Sequence, residues 1–238
     1  MKLRKCTHDN INMLARKIAV DIDEVLCPFF HPMINRANRS PPVAKRYPYF
    51  YQKALGITDD ESRDMIKDFY RSEEFKNLPP FKNADFALNQ LKRQGMKLYA
   101  VTGRQDVSRK ATEEWLDRFF PRAFEELVMT NSYTPNEIPK ADLCLAMNIQ
   151  SIIDDNLQTC VECHGKGIEA IHYVGDPTYP WCHDTYPGIN RSSNWLEVLS
   201  EFPSALISNS PSDSSDRDPM CLKPDDPSRT PLLPRRRT

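Results

Sequence analysis

The run Lys17-Ile18-Ala19-Val20-Asp21-Ile22-Asp23-Glu24-Val25 decides the fold. Its first half is apolar without the polar alternation of a half-exposed strand, which predicts a strand over residues 17–22 buried on both faces. Runs of the same kind recur at Lys97–Thr102, Glu126–Thr130, Gln150–Ile153 and Ile168–Tyr173. Segments of helical period separate them. One lies near residues 84–94 and is closed by Gly95 in the left-handed conformation; another carries Ala111, Trp115 and Phe119 on one face; a third ends near Lys166 and Gly167. Buried strands alternating with helices specify an α/β protein, a Rossmann-like parallel sheet with helices on both faces.

One interval breaks this rhythm. Between the first and second strands lie roughly seventy residues, too many for a single crossover. Within them Thr58 and Glu61 make a capping box, and Met65, Ile66, Phe69 and Tyr70 follow at helical spacing. Residues 31–82 therefore read as a helical cap inserted between core segments 17–30 and 83–201, with 1–16 as an N-terminal extension. From Phe202 onward Ser, Pro and Asp dominate, and the chain closes on Arg235, Arg236 and Arg237. That composition cannot bury enough apolar surface to offset ordering, so 202–238 reads as a disordered tail. The whole-chain figures agree: 39% hydrophobic residues, with 20 Pro against 7 Gly, leave part of the chain outside any core.

The 32 Lys and Arg nearly cancel the 33 Asp and Glu, leaving no basic field for a nucleic-acid backbone. No apolar stretch approaches the ~20 residues of a membrane span. The start of the chain lacks the apolar centre of a secretory signal, and 7 Cys, an odd number, suit free thiols in a reducing compartment. The expectation is a cytoplasmic protein without nucleic-acid or membrane partners; a homodimer is left open.

In a parallel sheet, ligands bind beyond the carboxyl ends of the strands. There the first strand delivers Asp21 and Asp23, the second Thr102, Gly103 and Arg104, and the fourth Asp154 and Asp155, while Lys140 opens the helix before the fourth. Each feature alone is ordinary: an acid pair at a strand end is usually a solvated turn, and a single Lys a surface charge. Together they gather four carboxylates at one edge, an unfavourable arrangement unless a cation sits among them. A hard divalent cation with oxygen ligands resolves it.

Asp21-Ile22-Asp23-Glu24-Val25 after an apolar strand, Thr102 after the second, Lys140, and Asp154-Asp155 after a later strand resemble, in order, the four motifs of the haloacid dehalogenase superfamily. The resemblance spans roughly residues 17–200. Within the superfamily the chain is most similar to the 5′(3′)-deoxyribonucleotidase-like group, which carries a helical cap after the first motif. The segments Phe75–Pro79, Phe124–Leu127 and Tyr179–Trp181 add to that similarity. The resemblance implies a magnesium-dependent phosphomonoesterase acting on a small phosphorylated metabolite, with a nucleoside monophosphate as the leading substrate. It implies Asp21 as nucleophile and Asp23 as general acid and base, a residue that dehalogenase-type members do without. It further implies that Thr102 and Lys140, with Gly103, hold the phosphoryl group. Magnesium is implied at Asp21, the Asp23 backbone carbonyl, Asp154 and Asp155, without saying which of the last two ligates directly. Two departures stand out. Thr102 is followed by Gly103-Arg104, so Arg104 either contacts phosphate or pairs with a surface acid, and Glu24 occupies a position where many members have Gly.

Other readings stay open. Cys160, Cys163 and His164 satisfy a haem-attachment spacing and, with Cys182 and His183, offer zinc ligands; buried idle thiols are the favoured account. Phe29, Phe30, Tyr47, Tyr49, Phe50 and Tyr51 either form the cap's core, the favoured reading, or wall a flat substrate. A phosphatase for another metabolite, a phosphotransferase with the same nucleophile, and a retired adaptor are the rival functions. The intact acid cluster speaks against the last.

Overall fold

Six parallel strands in the order β3-β2-β1-β4-β5-β6 form one sheet in the computed structural model, which describes residues 15–40, 50–176, 179 and 181–203. The strands are β1 (Lys17–Val20), β2 (Lys97–Thr102), β3 (Glu126–Met129), β4 (Ser151–Asp154), β5 (Glu169–Tyr173) and β6 (Asn190–Ser192). β1 lies between β2 and β4, with Ile18 opposite Leu98 on one side and Ser151 on the other. Its apolar residues meet helices on both faces. Ile18 and Val20 belong to one core cluster and Ala19 to the other, which explains the absence of polar alternation.

β1 ends two residues earlier than the predicted strand. Asp21 still donates its amide to the Ile153 carbonyl at 3.0 Å, but the chain then turns tightly, with Glu24 N donating to Cys27 O at 2.8 Å. β3 and β5 differ from expectation by one residue at one end, and β4 is shifted by one residue at both. β6 and the helix after it were not legible: Asn190-Arg191-Ser192 has no apolar run and is a strand because it pairs with β5 at the sheet edge.

The long interval contains α1 (Phe30–Arg36), α2 (Tyr51–Leu55), α3 (Asp59–Tyr70) and α4 (Glu73–Lys76), followed by the crossover helix α5 (Ala84–Arg93). The capping box starts α3 as its sequence requires: Glu61 N donates to Thr58 Oγ1 at 3.2 Å and Thr58 N to Glu61 Oε2 at 2.9 Å. Such a cap is worth about 1 kcal/mol. α3 buries Phe69 against Phe29 and Phe75, with ring centroids 5.1 and 5.7 Å away. Phe29, Phe30 and Phe75 are continuous with the core over the sheet, so the inserted helices share that core instead of closing one of their own.

The remaining helices are α6 (Arg109–Phe119), α7 (Lys140–Ala146), α8 (Leu157–Gly165) and α9 (Trp195–Ser200). Gly95 follows α5 at φ +83°, as predicted. α9 seats the fully buried Trp195, whose indole donates to the Val25 carbonyl at 2.8 Å and so ties the end of the fold to the loop after β1. Phe202, read from sequence as the first tail residue, is instead 2% exposed in the core beneath the Arg16 guanidinium, and the folded body includes it. Residues 1–14, Tyr47, Tyr49 and the tail from 204 lie outside the described residues.

Candidate active site

The strand order reverses between β1 and β4: the chain steps outward from β1 through β2 to β3, then returns to β4 beside β1 and steps outward again. Loops leaving β1 and β4 therefore diverge, and the crevice between them is where a sheet of this kind receives its ligand. Asp21 leaves β1 at that point, and Asp154 and Asp155 leave β4. All three are buried, and each offers a carboxylate oxygen within 4.8 Å of the others.

Lys140, the first residue of α7, is largely buried and places its Nζ 2.9 Å from Asp21 Oδ1 and 2.6 Å from Asp154 Oδ2. Burial works against its charge, but Asp154 and Asp21 outweigh burial and hold the ammonium above the usual lysine range. The second Asp154 oxygen accepts the Asn156 amide at 2.9 Å. Asp155 Oδ2 accepts the Trp181 indole at 3.1 Å, and its backbone carbonyl lies 3.0 Å from His172 Nε2. Burial pushes Asp21 up to about 7, with Lys140 opposing, and burial with Asp154 and Asp21 pushes Asp155 well above the carboxylate range.

These residues fit a hard cation. Of three buried carboxylates, Asp21 and Asp154 pair with Lys140, while Asp155 Oδ1 is buried without a hydrogen-bond partner. An all-oxygen set with an unsatisfied acceptor suits magnesium, and a thiol or imidazole site is not what these donors make.

Asp21, and Glu24 at about 8, hold protons in the fold at pH values where the unfolded chain has lost them, so stability falls as pH rises from about 4 to 8. His172, lowered by burial, acts in the opposite sense below about 6.5. Between about 6.5 and 8 the acids act alone. The melting temperature in EDTA is expected to drop across that interval, and magnesium to remove the drop. A flat profile in EDTA would show that the cluster is not strained.

Motif neighbours divide by role. Thr102 ends β2 with its hydroxyl buried, accepting the Arg104 amide at 3.2 Å. Gly103 lines the cleft, and a Cβ there would come within 3.1 Å of Ser132 Oγ, so glycine permits this approach. Arg104 borders the cleft but is 2% exposed, and the acid it pairs with is Asp23 in the cleft and not a surface acid. Glu24 sits at φ +63°, which explains glycine at such a position. Its Oε1 accepts the Phe29 and Phe30 amides at 2.9 and 2.6 Å, offsetting that strain and fastening the start of α1 to the loop.

A cleft of about 640 Å³ opens above the acids, lined by Asp21, Asp23, Lys140 and Asp154 below and by Phe50, Arg63 and Tyr133 among its upper residues. The cap aromatics split. Phe29 and Phe30 are core residues packed on Phe69, Phe75 and Trp181, whereas Phe50 is half-buried on the cleft wall, edge-on to Tyr133 at 5.8 Å. Sequence reasoning missed Tyr133, Trp181 and His172. Only the short Tyr179–Trp181 segment signalled the second. Cys160 and Cys163 are buried in the core with Cys144, while His164 and His183 are exposed, so these side chains do not converge on a metal. Among the described residues, the group of three or more His, Cys, Asp or Glu able to hold one is Asp21, Asp154 and Asp155. Among the described residues no helix is long and apolar enough to cross a membrane.

The fold is shared with solved structures. A haloacid dehalogenase-like family hydrolase from Streptococcus pneumoniae superposes with a TM-score of 0.58 at 17% identity, covering 79% of this chain and 99% of that one. A protein described as a predicted phosphatase from Clostridium acetobutylicum gives 0.57 at 12%, covering 79% and 98%. No curated protein sequence matches the chain. The profile of the family described as 5′ nucleotidase, deoxy (Pyrimidine), cytosolic type C protein matches residues 15–199. With its haloacid dehalogenase-like sheet and an acid cluster at the strand reversal, the chain belongs to that nucleotidase family of phosphoric monoester hydrolases.

Proposed function

We propose that the protein hydrolyses a nucleoside monophosphate through an aspartyl-phosphate intermediate, with magnesium bound at Asp21, Asp154, Asp155 and the Asp23 backbone carbonyl. The observation that carries this reading is Lys140 Nζ held between Asp21 and Asp154 at 2.9 and 2.6 Å beneath the cleft. A carboxylate buried beside a lysine, at a strand end facing a cavity, is placed to attack and is relieved of charge repulsion by the phosphoryl group's counter-charges.

An Asp21 oxygen attacks phosphorus while the ester P–O bond breaks. The leaving oxygen takes the bond pair and a proton from Asp23. Asp23 then removes a proton from water, whose oxygen displaces Asp21 and yields inorganic phosphate. Lys140, the Thr102 hydroxyl and the Gly103 amide orient the phosphoryl oxygens. Magnesium, when bound, neutralises charge on those oxygens, which suits a reaction whose transition state spreads charge over them.

The lid role belongs to residues 31–82, whose helices bring Phe50 to the cleft opposite Tyr133. A base stacking on the cleft-facing side of this edge-on pair would hold a flat substrate there, and the family description supports nucleotides and a cytosolic site of action. Purified protein assayed on a panel of phosphate esters, with magnesium and with EDTA, tests the reading. Turnover of nucleoside monophosphates above other esters, only with magnesium, is expected. Phe50→Ala or Tyr133→Ala is expected to cost about 1–3 kcal/mol in kcat/KM on nucleotides and less on para-nitrophenyl phosphate. Equal losses on both esters would make these rings wall structure only.

A further inference from the structure

Among the described residues, Arg104 is the arginine buried in the core. Its Nη2 lies 2.6 Å from Asp23 Oδ1, and its Nε 3.1 and 3.0 Å from Oδ1 and Oδ2. Nη1 donates to Thr112 Oγ1 at 3.1 Å, and that hydroxyl is itself fixed by donating to the Ser108 carbonyl at 2.9 Å. Nη2 also approaches Cys27 Sγ at 3.7 Å. The guanidinium lies over the Phe75 ring of α4 at 4.6 Å, with Trp115 of α6 at 6.0 Å.

Each nitrogen of this side chain is therefore engaged, and although it borders the cleft, turning it toward a phosphoryl group would break a bidentate contact in a buried setting. A planar guanidinium held by Asp23, Thr112 and Cys27 at its edges and by Phe75 and Trp115 at its faces is a rigid template, which a lysine cannot reproduce. Asp23, in contrast, retains 14% side-chain exposure and lines the cleft. Its Oδ1 takes two contacts, one of them the shortest, while Oδ2 takes one and keeps a lone-pair direction for a proton.

Taking the proposed hydrolysis as given, we propose that Arg104 is a positioning residue that orients the Asp23 carboxyl toward the leaving oxygen, and is not a phosphate ligand. Because Phe75 forms one face of the guanidinium's seat, the inserted helices take part in setting the acid's position.

The test separates proton donation from phosphate binding by the leaving group. An alkyl phosphate such as a nucleoside 5′-monophosphate expels a strongly basic oxygen and depends on the acid, whereas nitrophenolate leaves without a proton. Full-length wild type, Arg104→Gln, Arg104→Lys, Asp23→Asn and the double variant Asp23→Asn with Arg104→Gln are assayed with magnesium on both esters, with inorganic phosphate as inhibitor. In Arg104→Gln, kcat/KM, which reports the first transfer and not the water step that both esters share, is expected to fall by about 10²-fold or more on the alkyl ester and by less than a tenth of that factor on the nitrophenyl ester, with phosphate inhibition unchanged. Arg104→Lys recovers part of the loss, and adding Arg104→Gln to Asp23→Asn changes little, because residues acting as a unit are non-additive. Should Arg104→Gln fail to fold, Thr112→Val, which removes only one partner of the guanidinium, is expected to give the same leaving-group selectivity in smaller measure.

Equal losses of kcat/KM on both esters overturn the proposal, and so does a rise in the phosphate inhibition constant with kcat retained. A wild type inactive on every ester overturns the hydrolase reading itself, which is a different outcome from an active wild type with unselective variants.

Discussion

Asp21→Asn is expected to lower kcat on any phosphate ester on the order of 10⁴-fold or more while leaving the melting temperature level or higher. The two effects share one cause. Asp21 is 4% exposed, and burial raises its pKa to about 7, with Lys140 opposing the rise and Asp154 and Asp23 adding to it. An amide of nearly the same shape removes the nucleophilic oxygen and the buried charge together. The gain in stability should be largest in EDTA near pH 8, where Asp21 is ionised in the wild type, and smallest with magnesium. Steady-state assays paired with thermal melts under both conditions measure it. Retention of more than about a tenth of wild-type turnover is incompatible with a covalent aspartyl intermediate.

Lys140→Met carries the second large effect and has the opposite sign for stability. The lysine is wedged between two buried carboxylates, so its removal leaves Asp21 and Asp154 facing each other with no cation between them. Stripping one side of a buried ionic arrangement costs about 3–5 kcal/mol, well above the near-zero worth of the exposed pairs such as Lys110–Glu114. Urea denaturation at pH 8 in EDTA should show that loss, and magnesium should restore part of it by supplying positive charge to the same carboxylates. Turnover is expected to fall about 10²–10³-fold even with magnesium, since a donor aimed at developing charge is lost. A variant as stable as wild type in EDTA would mean that the carboxylates are neutral there and that the lysine is not their counter-charge.

Much of the fold was legible because its signals are local. An apolar run such as Ile18–Val20, which must be buried on both sides, can only be a central strand, and Thr58 with Glu61 states the start of α3 within four residues. Burial also explains why the acids could be placed: the first polar residues after the apolar runs, Asp21 and Asp154, must emerge at the sheet's carboxyl edge, and parallel strands share that edge. β6 escaped because a three-residue edge strand of polar residues takes its conformation from pairing with β5 and carries no periodic signal. Phe202 escaped because a lone aromatic before a polar segment does not reveal what covers it.

The partners of the site residues belong to the tertiary structure alone. Arg104 and Asp23 are 81 positions apart and meet because β1 and β2 are neighbours whose loops leave the same edge. Trp181 reaches Asp155 across 26 positions from the segment between β5 and β6, and Tyr133 meets Phe50 from the loop after β3. Residue type and spacing determined that this chain builds an acid cluster at the end of a parallel sheet. Which basic group clamps which acid, and which aromatic faces the cleft, followed from strand order and loop paths, because a side chain's partner is set by what the fold brings within a few ångströms of it and not by its neighbours along the chain.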